Sequence, residues 1–291
     1  MVARGPRRVL VTGAGGLLGR ALVQHAVGRA DLALTGLPRA ELDITEVEAV
    51  EAALDRSGAE VVINAAAYTQ VDRAQSEPAA ALAANVAGPA VLAGACAERG
   101  VAVVQVSSDH VFGGQAGRLC ETDELPAPAS VYGLTKLGGE QVVQALAPRH
   151  YVVRIAGLFG PGGRNFVEAI VRRAQSGEPL RGVDDQICSR SYSEDVAEAL
   201  LELVTKEPPW GLYHFCNAGG SSWYEFAQAV LATWDLRVPL EPISSAAYGA
   251  PAPRPAWSVL SLASWTGAGL TAPRHELEAL AAYRATWSPR A

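Results

Sequence analysis

The chain has 291 residues, of which 49% are hydrophobic and 19% charged, a balance typical of a globular protein with a sizeable core. The formal net charge of −6 is spread without long runs of either sign and without a basic patch, so we expect no nucleic-acid partner. The four cysteines are far apart and form no Cys-x-x-Cys pair, which indicates neither a zinc site nor a disulfide framework and favours a reducing, cytoplasmic location.

The first half of the chain alternates apolar runs with helical patterns. Strands are predicted at residues 8–12, 31–35, 61–65, 101–107 and 151–155. Helices are predicted at residues 17–27, 46–56 and 132–147, and a long Ala-rich helix is predicted to end near Gly100. Continuous apolar strands between helices are typical of a parallel sheet covered on both faces. We therefore predict an α/β fold with a Rossmann-like, doubly wound parallel sheet.

The second half has a less regular pattern. Helices are predicted at residues 165–175, 193–206 and 223–234, separated by glycine clusters and followed by a proline-rich stretch. We predict a Rossmann domain over residues 1–160 and a smaller C-terminal α/β region over residues 161–291, with a cleft between them. Later segments such as 192–217 are expected to pack back onto the first domain.

One apolar stretch, residues 78–97, has no charged side chain and is a candidate for a membrane span. Most of its residues are Ala and Gly, and Asn85 and Pro89 lie inside it, so its transfer into lipid is only weakly favourable. A buried helix packed closely on a sheet explains the composition better, and we expect no membrane association.

A glycine loop follows the first predicted strand and opens the first predicted helix. Its glycines are spaced as Gly13-x-x-Gly16-x-x-Gly19, with Leu17 and Leu18 before the last one. Such a loop makes a tight turn, lets backbone N–H groups approach a pyrophosphate and directs a helix N-terminus at its charge. In this strand-loop-helix setting it predicts a dinucleotide cofactor.

The residues after the second predicted strand bear on which dinucleotide binds. An NAD enzyme tends to place an acidic residue there to bind the ribose 2′-hydroxyl, whereas this chain has Arg39. Arg39 is suited to binding a 2′-phosphate, which favours NADP(H) as the cofactor and leaves NAD(H) open. The alternative is that Arg39 is a solvated surface side chain. Asp43 and Ile44 are expected to flank the adenine.

Tyr132 and Lys136 are four residues apart and should lie one above the other on a helix face. A neighbouring ammonium favours the phenolate, so we expect Lys136 to bring the pKa of Tyr132 down toward the working range. Upstream, an apolar strand ends in the hydroxyls of Ser107 and Ser108, at the edge of the sheet where ligands bind in such folds. These residues predict acid–base chemistry.

Taken in order, the glycine loop, Asn64-Ala65-Ala66-Ala67, Ser107-Ser108 and Tyr132-x-x-x-Lys136 resemble the extended short-chain dehydrogenase/reductase family. Within it the chain is similar to the dTDP-4-dehydrorhamnose reductase branch, whose Asn-Ala-Ala-Ala-Tyr-Thr-x-Val-Asp signature matches residues 64–72. Further stretches similar to that branch are residues 107–112, 165–167, 185–186, 222–227 and 254–260.

The resemblance implies a hydride transfer from NADPH to the C4 ketone of a nucleotide-linked 4-keto-6-deoxy sugar, with NADP bound by the first domain and sugar by the second. Tyr132 is expected to donate the proton, Lys136 to hold the nicotinamide ribose, and Ser108 to bind the carbonyl oxygen. Positions that match cofactor contacts of the family are Gly13, Gly16, Leu17, Leu18, Gly19, Asp43, Ile44, Ala67, Tyr68 and Thr69. Positions expected at the substrate are Ser108, Asp109, His110, Gly157, Asn165, Arg190 and Arg254.

Several of these positions depart from the branch pattern. His110 replaces a Tyr, Gly157 replaces a Trp that packs on the sugar, and Arg190-Ser191 replaces Pro-Thr. Milder changes are Ser108 for Thr and Gln75 for Glu. Without the Trp the sugar pocket is expected to be wider, unless Trp223, Trp257 or Tyr248 fills the gap. Arg190 is expected to bind a diphosphate or a polar sugar substituent.

Two other functions share this fold. A sugar-nucleotide epimerase or dehydratase stays open, although Asp109-His110 stands where a dehydratase commonly has an Asp-Glu pair. A non-catalytic, NADP-binding regulatory subunit similar to that of methionine adenosyltransferase is the second alternative. The five histidines do not cluster, so no metal site is predicted, while Mg²⁺ and a homodimer stay open on the resemblance.

Overall fold

The computed structural model describes residues 5–114 and 117–288, and within these ranges the chain forms strands and helices in alternation. The strands are β1 (Arg7–Thr12), β2 (Leu32–Leu37), β3 (Val61–Asn64), β4 (Ala102–Ser108), β5 (His150–Ile155), β6 (Leu158–Phe159), β7 (Leu180–Val183), β8 (Ile187–Tyr192), β9 (Gly211–His214), β10 (Asn217–Ser222), β11 (Leu240–Ile243) and β12 (Trp257–Ser258). The helices are α1 (Leu17–Ala26), α2 (Val47–Ser57), α3 (Val71–Ser76), α4 (Pro78–Leu82), α5 (Gly88–Glu98), α6 (Val131–Leu146), α7 (Phe166–Gln175), α8 (Ser193–Lys206), α9 (Trp223–Thr233), α10 (Ser245–Tyr248), α11 (Ala263–Gly267) and α12 (Glu276–Ala285).

A six-stranded parallel sheet is the centre of the fold, with the order β2-β1-β3-β4-β5-β9. Every residue of β3 and β4 is buried, because helices cover both faces of the sheet. The predicted Rossmann-like, doubly wound architecture is confirmed. The predicted strands and helices of the first half are present, with boundaries shifted by one or two residues.

Two apolar layers hold the helices on the sheet. On one face, Leu22 of α1 and Leu200 of α8 belong to a single buried cluster with Val11 and Val153 of the strands. On the other face, α2, α5 and α6 contribute Leu54, Leu92 and Val143. Because α8 packs on α1 and β9 pairs with β5, a later part of the chain completes the sheet that the first part begins.

The apolar stretch of the sequence lies in a continuous helix over Pro78–Glu98, the one helix of the described ranges that is long and apolar enough to cross a membrane. Its Leu92, Ala93 and Cys96 are fully buried in the apolar layer against the sheet. Helix α5 packs on both α2 and α6. This packing accounts for the apolar side chains on the face of the helix that meets the sheet.

The C-terminal region is built around smaller sheets. Strand β8 lies between the antiparallel β10 and the parallel β12, and it also pairs with β6. Strands β7 and β11 form a separate parallel pair. Helices α7, α9 and α12 cover a third apolar cluster, to which they contribute Ile170, Phe226 and Leu280. Of these elements the sequence pattern predicts α7 and α9 but none of the strands.

Gly13 directly follows β1 and has a backbone conformation that other residues rarely adopt. Its φ is +67°, and a Cβ placed there would lie 2.6 Å from the backbone nitrogen of Ala66, in the loop after β3. The turn therefore brings the backbones of two loops into contact, an approach that only a glycine permits.

We expect Gly13→Ala to lower the free energy of unfolding by roughly 1–3 kcal/mol, the scale of a strained backbone conformation. The matched control is Gly94→Ala inside α5, where nothing lies within 4 Å of the added Cβ. That change should raise stability by about 0.5–1 kcal/mol through helix propensity. Chemical denaturation measures both, and equal effects of the two changes would contradict this account of the turn.

Candidate active site

A cleft of about 860 Å³ opens at the carboxyl ends of β1, β3, β4 and β5. Strand β1 lies between β2 and β3, so the direction of the chain crossovers reverses at this point of the sheet. Ligands of open α/β sheets bind in the crevice at such a switch point. Residues from the C-terminal region, among them Arg254 and Trp223, close the other side.

The glycine loop forms one end of the cleft. Gly16 is the N-cap of α1 and has no side chain to bind the first N–H groups of the helix, so this helix end opens onto the cleft. Leu17 and Leu18 line the cleft beside it. Gly19 instead permits close packing of α1 against the glycine loop, because a Cβ there would lie 2.3 Å from the carbonyl oxygen of Gly13. The end of α1 is therefore suited to a phosphate group.

Arg39 lies at the rim of the cleft after β2, with 83% of its side chain exposed. Its Nη2 donates to Oδ2 of Asp43 over 3.2 Å. The other carboxylate oxygen of Asp43 accepts from the backbone and hydroxyl of Thr45, and these bonds together with Arg39 hold the pKa of Asp43 below its usual range. The guanidinium therefore remains accessible to a ligand, while Asp43 sets its direction.

Asn85, which the sequence interpretation did not assign to the site, connects the loop after β3 with helix α6. It lies in the π-helical segment Ala83–Ala87 between α4 and α5. Its side chain accepts from the backbone N–H of Tyr68 over 2.8 Å and donates to the Tyr68 carbonyl and to the hydroxyl of Thr135. An amide within a strongly apolar helix is the signal that could have identified it.

Tyr132 and Lys136 lie one turn apart on α6 and face the end of β4, where Ser108 is located. Tyr132 and Ser108 line the same cleft, and the Ser108 side chain is close enough to lower the pKa of Tyr132. Nζ of Lys136 donates to the carbonyl of Val106 over 2.7 Å. Ser130 caps α6 by accepting from the N–H of Gly133, which fixes the first turn that carries Tyr132.

The pKa of Tyr132 is shifted opposite to the expected direction. Burial raises the pKa of Tyr132 to about 12, and the nearby Ser108 side chain offsets this only in part. Burial also lowers the pKa of Lys136 to about 8, which the negative charge of Glu140 counters. The expectation that Lys136 lowers the tyrosine pKa is wrong, because removal of the phenol from water disfavours the charged phenolate.

A buried ion pair lies one further turn along α6. Both carboxylate oxygens of Glu140 accept from the guanidinium of Arg154, over 2.9 and 2.7 Å, and both side chains are almost completely buried. His214 lies 3.5 Å from the same guanidinium. The sequence interpretation did not assign this pair to the site, although Glu140 continues the four-residue spacing of Tyr132 and Lys136.

Polar contacts join the two sides of the cleft. Asp109 accepts from the hydroxyl of Ser108 over 3.1 Å and from that of Ser258 over 2.6 Å. The His110 ring meets the Tyr132 ring edge-on, and burial lowers the pKa of His110. At the rim, Arg254 binds both carboxylate oxygens of Asp72 over 2.9 and 3.0 Å.

Most of the predicted site residues line this one cleft, namely Gly13, Gly16, Leu17, Leu18, Arg39, Asp43, Ile44, Ala67, Tyr68, Thr69, Ser108, Asp109, His110, Tyr132, Lys136, Gly157 and Arg254. Asn165 does not line it. Its side chain caps α7 and donates to the carbonyls of Gly160 and Gly163. Asn165 therefore shapes the loop before α7.

Arg190 does not reach the cleft, contrary to the expectation that it binds a diphosphate or a sugar substituent. The residue is fully buried. Its Nη1 donates to the carbonyl of Cys188 over 2.8 Å and its Nη2 to the carbonyl of Ser221 over 3.1 Å. Of the three aromatic residues considered for the gap at Gly157, Trp223 lines the cleft, whereas Trp257 and Tyr248 are absent from its lining.

Comparison with known proteins assigns the chain to a family. The model of the RmlD substrate binding domain family matches residues 7–287. The chain belongs to this family. Its similarity to the dTDP-4-dehydrorhamnose reductases, predicted from the motifs, is thereby confirmed.

Relatives of this RmlD-family chain cover almost its whole length. It is 41% identical to a dTDP-4-dehydrorhamnose reductase of Streptomyces griseus over 281 residues, 94% of this chain and 91% of the relative. It is 39% identical over 278 residues to a probable dTDP-4,6-dihydroxy-2-methyloxan-3-one 4-ketoreductase of Streptomyces antibioticus, with 94% and 93% covered. The crystal structure of dTDP-4-dehydrorhamnose reductase from Bacillus anthracis str. Ames in complex with NADP has a TM-score of 0.93 and 31% identity, covering 97% of this chain and 100% of that one.

The chain contains only two lysines, so the titration of the active-site ammonium in this RmlD-family protein can be followed directly. With lysine labelled by ¹³C at Cε, NMR should show Lys136 losing its proton as the pH rises through about 8. Glu140→Gln should move this midpoint to lower pH, because the carboxylate stabilises the charged form. The exposed Lys206 is the internal reference. A Lys136 midpoint above about 10, near the free value, would contradict the assignment.

Proposed function

We propose that the protein is an NADPH-dependent reductase that converts the C4 ketone of a dTDP-linked 4-keto-6-deoxy sugar into an alcohol, as the name of its dTDP-4-dehydrorhamnose reductase relatives implies. The observation that carries the proposal is that Tyr132 and Ser108 line the same cleft as the glycine loop. Lys136 lies one helical turn away. The match over most of the chain supports the same reaction.

The described residues fit an NADP cofactor. The uncapped N-terminus of α1 suits its pyrophosphate, and the exposed Arg39 suits a 2′-phosphate at the other end of the adenosine. Ile44 and Tyr68 line the cleft between these points. When bound, NADPH supplies the hydride that the reaction requires.

The catalytic residues handle the proton. A ketone that accepts a hydride develops negative charge on its oxygen, and Tyr132 lines the cleft where it can donate a hydrogen bond to that oxygen. Ser108 lines the same cleft and could donate as well once its hydroxyl turns away from Asp109. With a pKa near 12, Tyr132 keeps its proton at neutral pH and transfers it to the more basic alkoxide. Lys136, which the carbonyl of Val106 and the charge of Glu140 hold in place, would bind the nicotinamide ribose of the cofactor.

The alternatives fit the site less well. A dehydratase needs an acid and a base beside C5 and C6 of the sugar, and both carboxylate oxygens of Asp109 are already bound by Ser108 and Ser258. A non-catalytic regulatory subunit would not require Tyr132, Ser108 and Lys136 to meet at one cleft. Their convergence favours an enzyme.

The proposal also includes the cellular location, the oligomeric state and the domain division of the enzyme. A cytoplasmic location is supported by the four cysteines, all of which are free and buried. A homodimer and the division of the chain near residue 160 into cofactor-binding and substrate-binding parts stay predictions.

Tyr132→Phe should lower kcat by about 10²-fold or more, because proton transfer by a positioned acid is worth roughly 10²–10⁴. The assay is NADPH oxidation with dTDP-4-keto-L-rhamnose, and NADPH affinity measured by fluorescence should change little. Tyr248→Phe is the control, since that tyrosine is exposed outside the cleft. Turnover of the Tyr132 variant within a few-fold of the wild type would reject Tyr132 as the acid.

Arg39→Ala should weaken NADPH binding by roughly 1.5–3 kcal/mol, the scale of hydrogen bonds to a charged group, and leave NADH binding nearly unchanged. Calorimetric titration with the two cofactors measures the difference. The exposed Arg56→Ala on α2 is the matched control. Equal losses for both cofactors would mean that Arg39 does not contact a 2′-phosphate.

A further inference from the structure

The C-terminal wall of the cleft contains one large aromatic side chain. Among the described lining residues beyond Gly160, Trp223 is the aromatic one, and the others are polar or small side chains and a proline. Trp223 shares the cleft with Tyr132 and Ser108, which raises the question of what its indole contacts when a ligand fills the cleft.

The backbone of Trp223 is fixed by the start of α9. Ser222, the residue before it, accepts from the N–H of Glu225 over 3.0 Å and donates its own N–H to the Glu225 carboxylate over 2.8 Å. This reciprocal capping sets Trp223 as the first residue of the helix. The Phe166 ring packs on the indole with 4.7 Å between centroids.

The guanidinium of Arg190 packs on the indole ring of Trp223. The carbon at the centre of its guanidinium lies 4.1 Å from the centroid of the Trp223 ring and 4.8 Å from that of Phe226. The guanidinium cannot turn away easily, because its two terminal nitrogens donate to the carbonyls of Cys188 and Ser221. A desolvated cation over an indole face is a favourable contact, so the ring plane is held in one orientation.

Gly157 makes room for this arrangement. Its φ is +50°, and a Cβ there would lie 3.0 Å from Cδ of Arg190 and 2.8 Å from the carbonyl oxygen of Ser189. The stem of Arg190 therefore runs through space that any larger residue at position 157 would need. Gly157, Arg190 and Trp223 form one packed unit, which we call the indole wall.

We propose that Trp223, held by Arg190, is the surface on which the hexose ring of the substrate packs, and that it determines which hexoses are accepted. The inference rests on the proposed nucleotide-sugar substrate and extends it to a specificity-determining residue. A 6-deoxyhexose has an apolar face of C–H groups and a methyl group, which suits a flat indole. A hydroxyl that pointed from this face would lose its water without gaining a partner, so such sugars are disfavoured.

The test compares dTDP-L-rhamnose with dTDP, which lacks the sugar, in calorimetric titrations of the protein saturated with NADP. Trp223→Ala should weaken binding of dTDP-L-rhamnose about tenfold and leave dTDP unchanged, while Trp223→Phe, which keeps an aromatic face, should recover most of the loss. The control is Trp210→Ala, because Trp210 lies outside the cleft against Tyr151.

A second variant tests the positioning role of Arg190. Arg190→Lys keeps the charge and loses the planar group, so KM for the keto sugar nucleotide should rise several-fold while kcat and NADPH affinity change little. Quenching of tryptophan fluorescence by dTDP-L-rhamnose should fall in parallel.

The outcomes separate this inference from the proposed function. If the wild type binds neither dTDP nor dTDP-L-rhamnose and reduces no dTDP-linked keto sugar, the proposed function fails. If the wild type binds and reduces such sugars but Trp223→Ala binds dTDP-L-rhamnose as well as the wild type does, the function stands and the indole wall is overturned. Equal weakening of dTDP and dTDP-L-rhamnose by Trp223→Ala would also overturn it.

Discussion

A buried ammonium is the constraint on which the catalytic side of this protein depends. Lys136 is removed from water on α6, and such a charge is tolerated only where hydrogen bonds and opposite charge compensate its lost hydration. The carbonyl of Val106 supplies the bond, and Glu140 supplies the charge one turn along the helix. Arg154 in turn satisfies both oxygens of Glu140. The cation thus fixes α6 against β4 and β5 in one register, which places Tyr132 beside Ser108.

The walls of the cleft depend on contacts between segments that are far apart in sequence. Asp109 at the end of β4 is bound by Ser258, and Asp72 at the start of α3 by Arg254, about 150 and 180 residues away along the chain. Each pair is partly or fully shielded from water, where charge-assisted hydrogen bonds are stronger than on an open surface. The shape of the cleft is therefore a joint property of both parts of the chain.

The sequence predicts the features that rest on local pattern. The strand, glycine loop and helix at Gly13 follow from apolar runs and glycine spacing, and Tyr132 and Lys136 from the helical repeat. Burial is a property of the whole fold, so neither the raised pKa of Tyr132 nor the enclosure of Arg190 could be predicted from neighbours in sequence. The small sheets were missed because β10 reads Asn-Ala-Gly-Gly-Ser-Ser and β12 has two residues, patterns without apolar alternation.

Strand β9 lies far from β1–β5 in the sequence, and this position has a consequence for folding during synthesis. The six-stranded sheet is complete only when residues up to His214 are available, since β9 forms its last edge and α8 covers α1. During synthesis on a ribosome, the nascent first half would expose the apolar surface that Leu200 and its neighbours later cover. Such a topology favours folding of the sheet only after residues up to His214 have been synthesised. It also means that a chimera joined near residue 160 would exchange β9 and α8 of the six-stranded sheet along with the C-terminal elements.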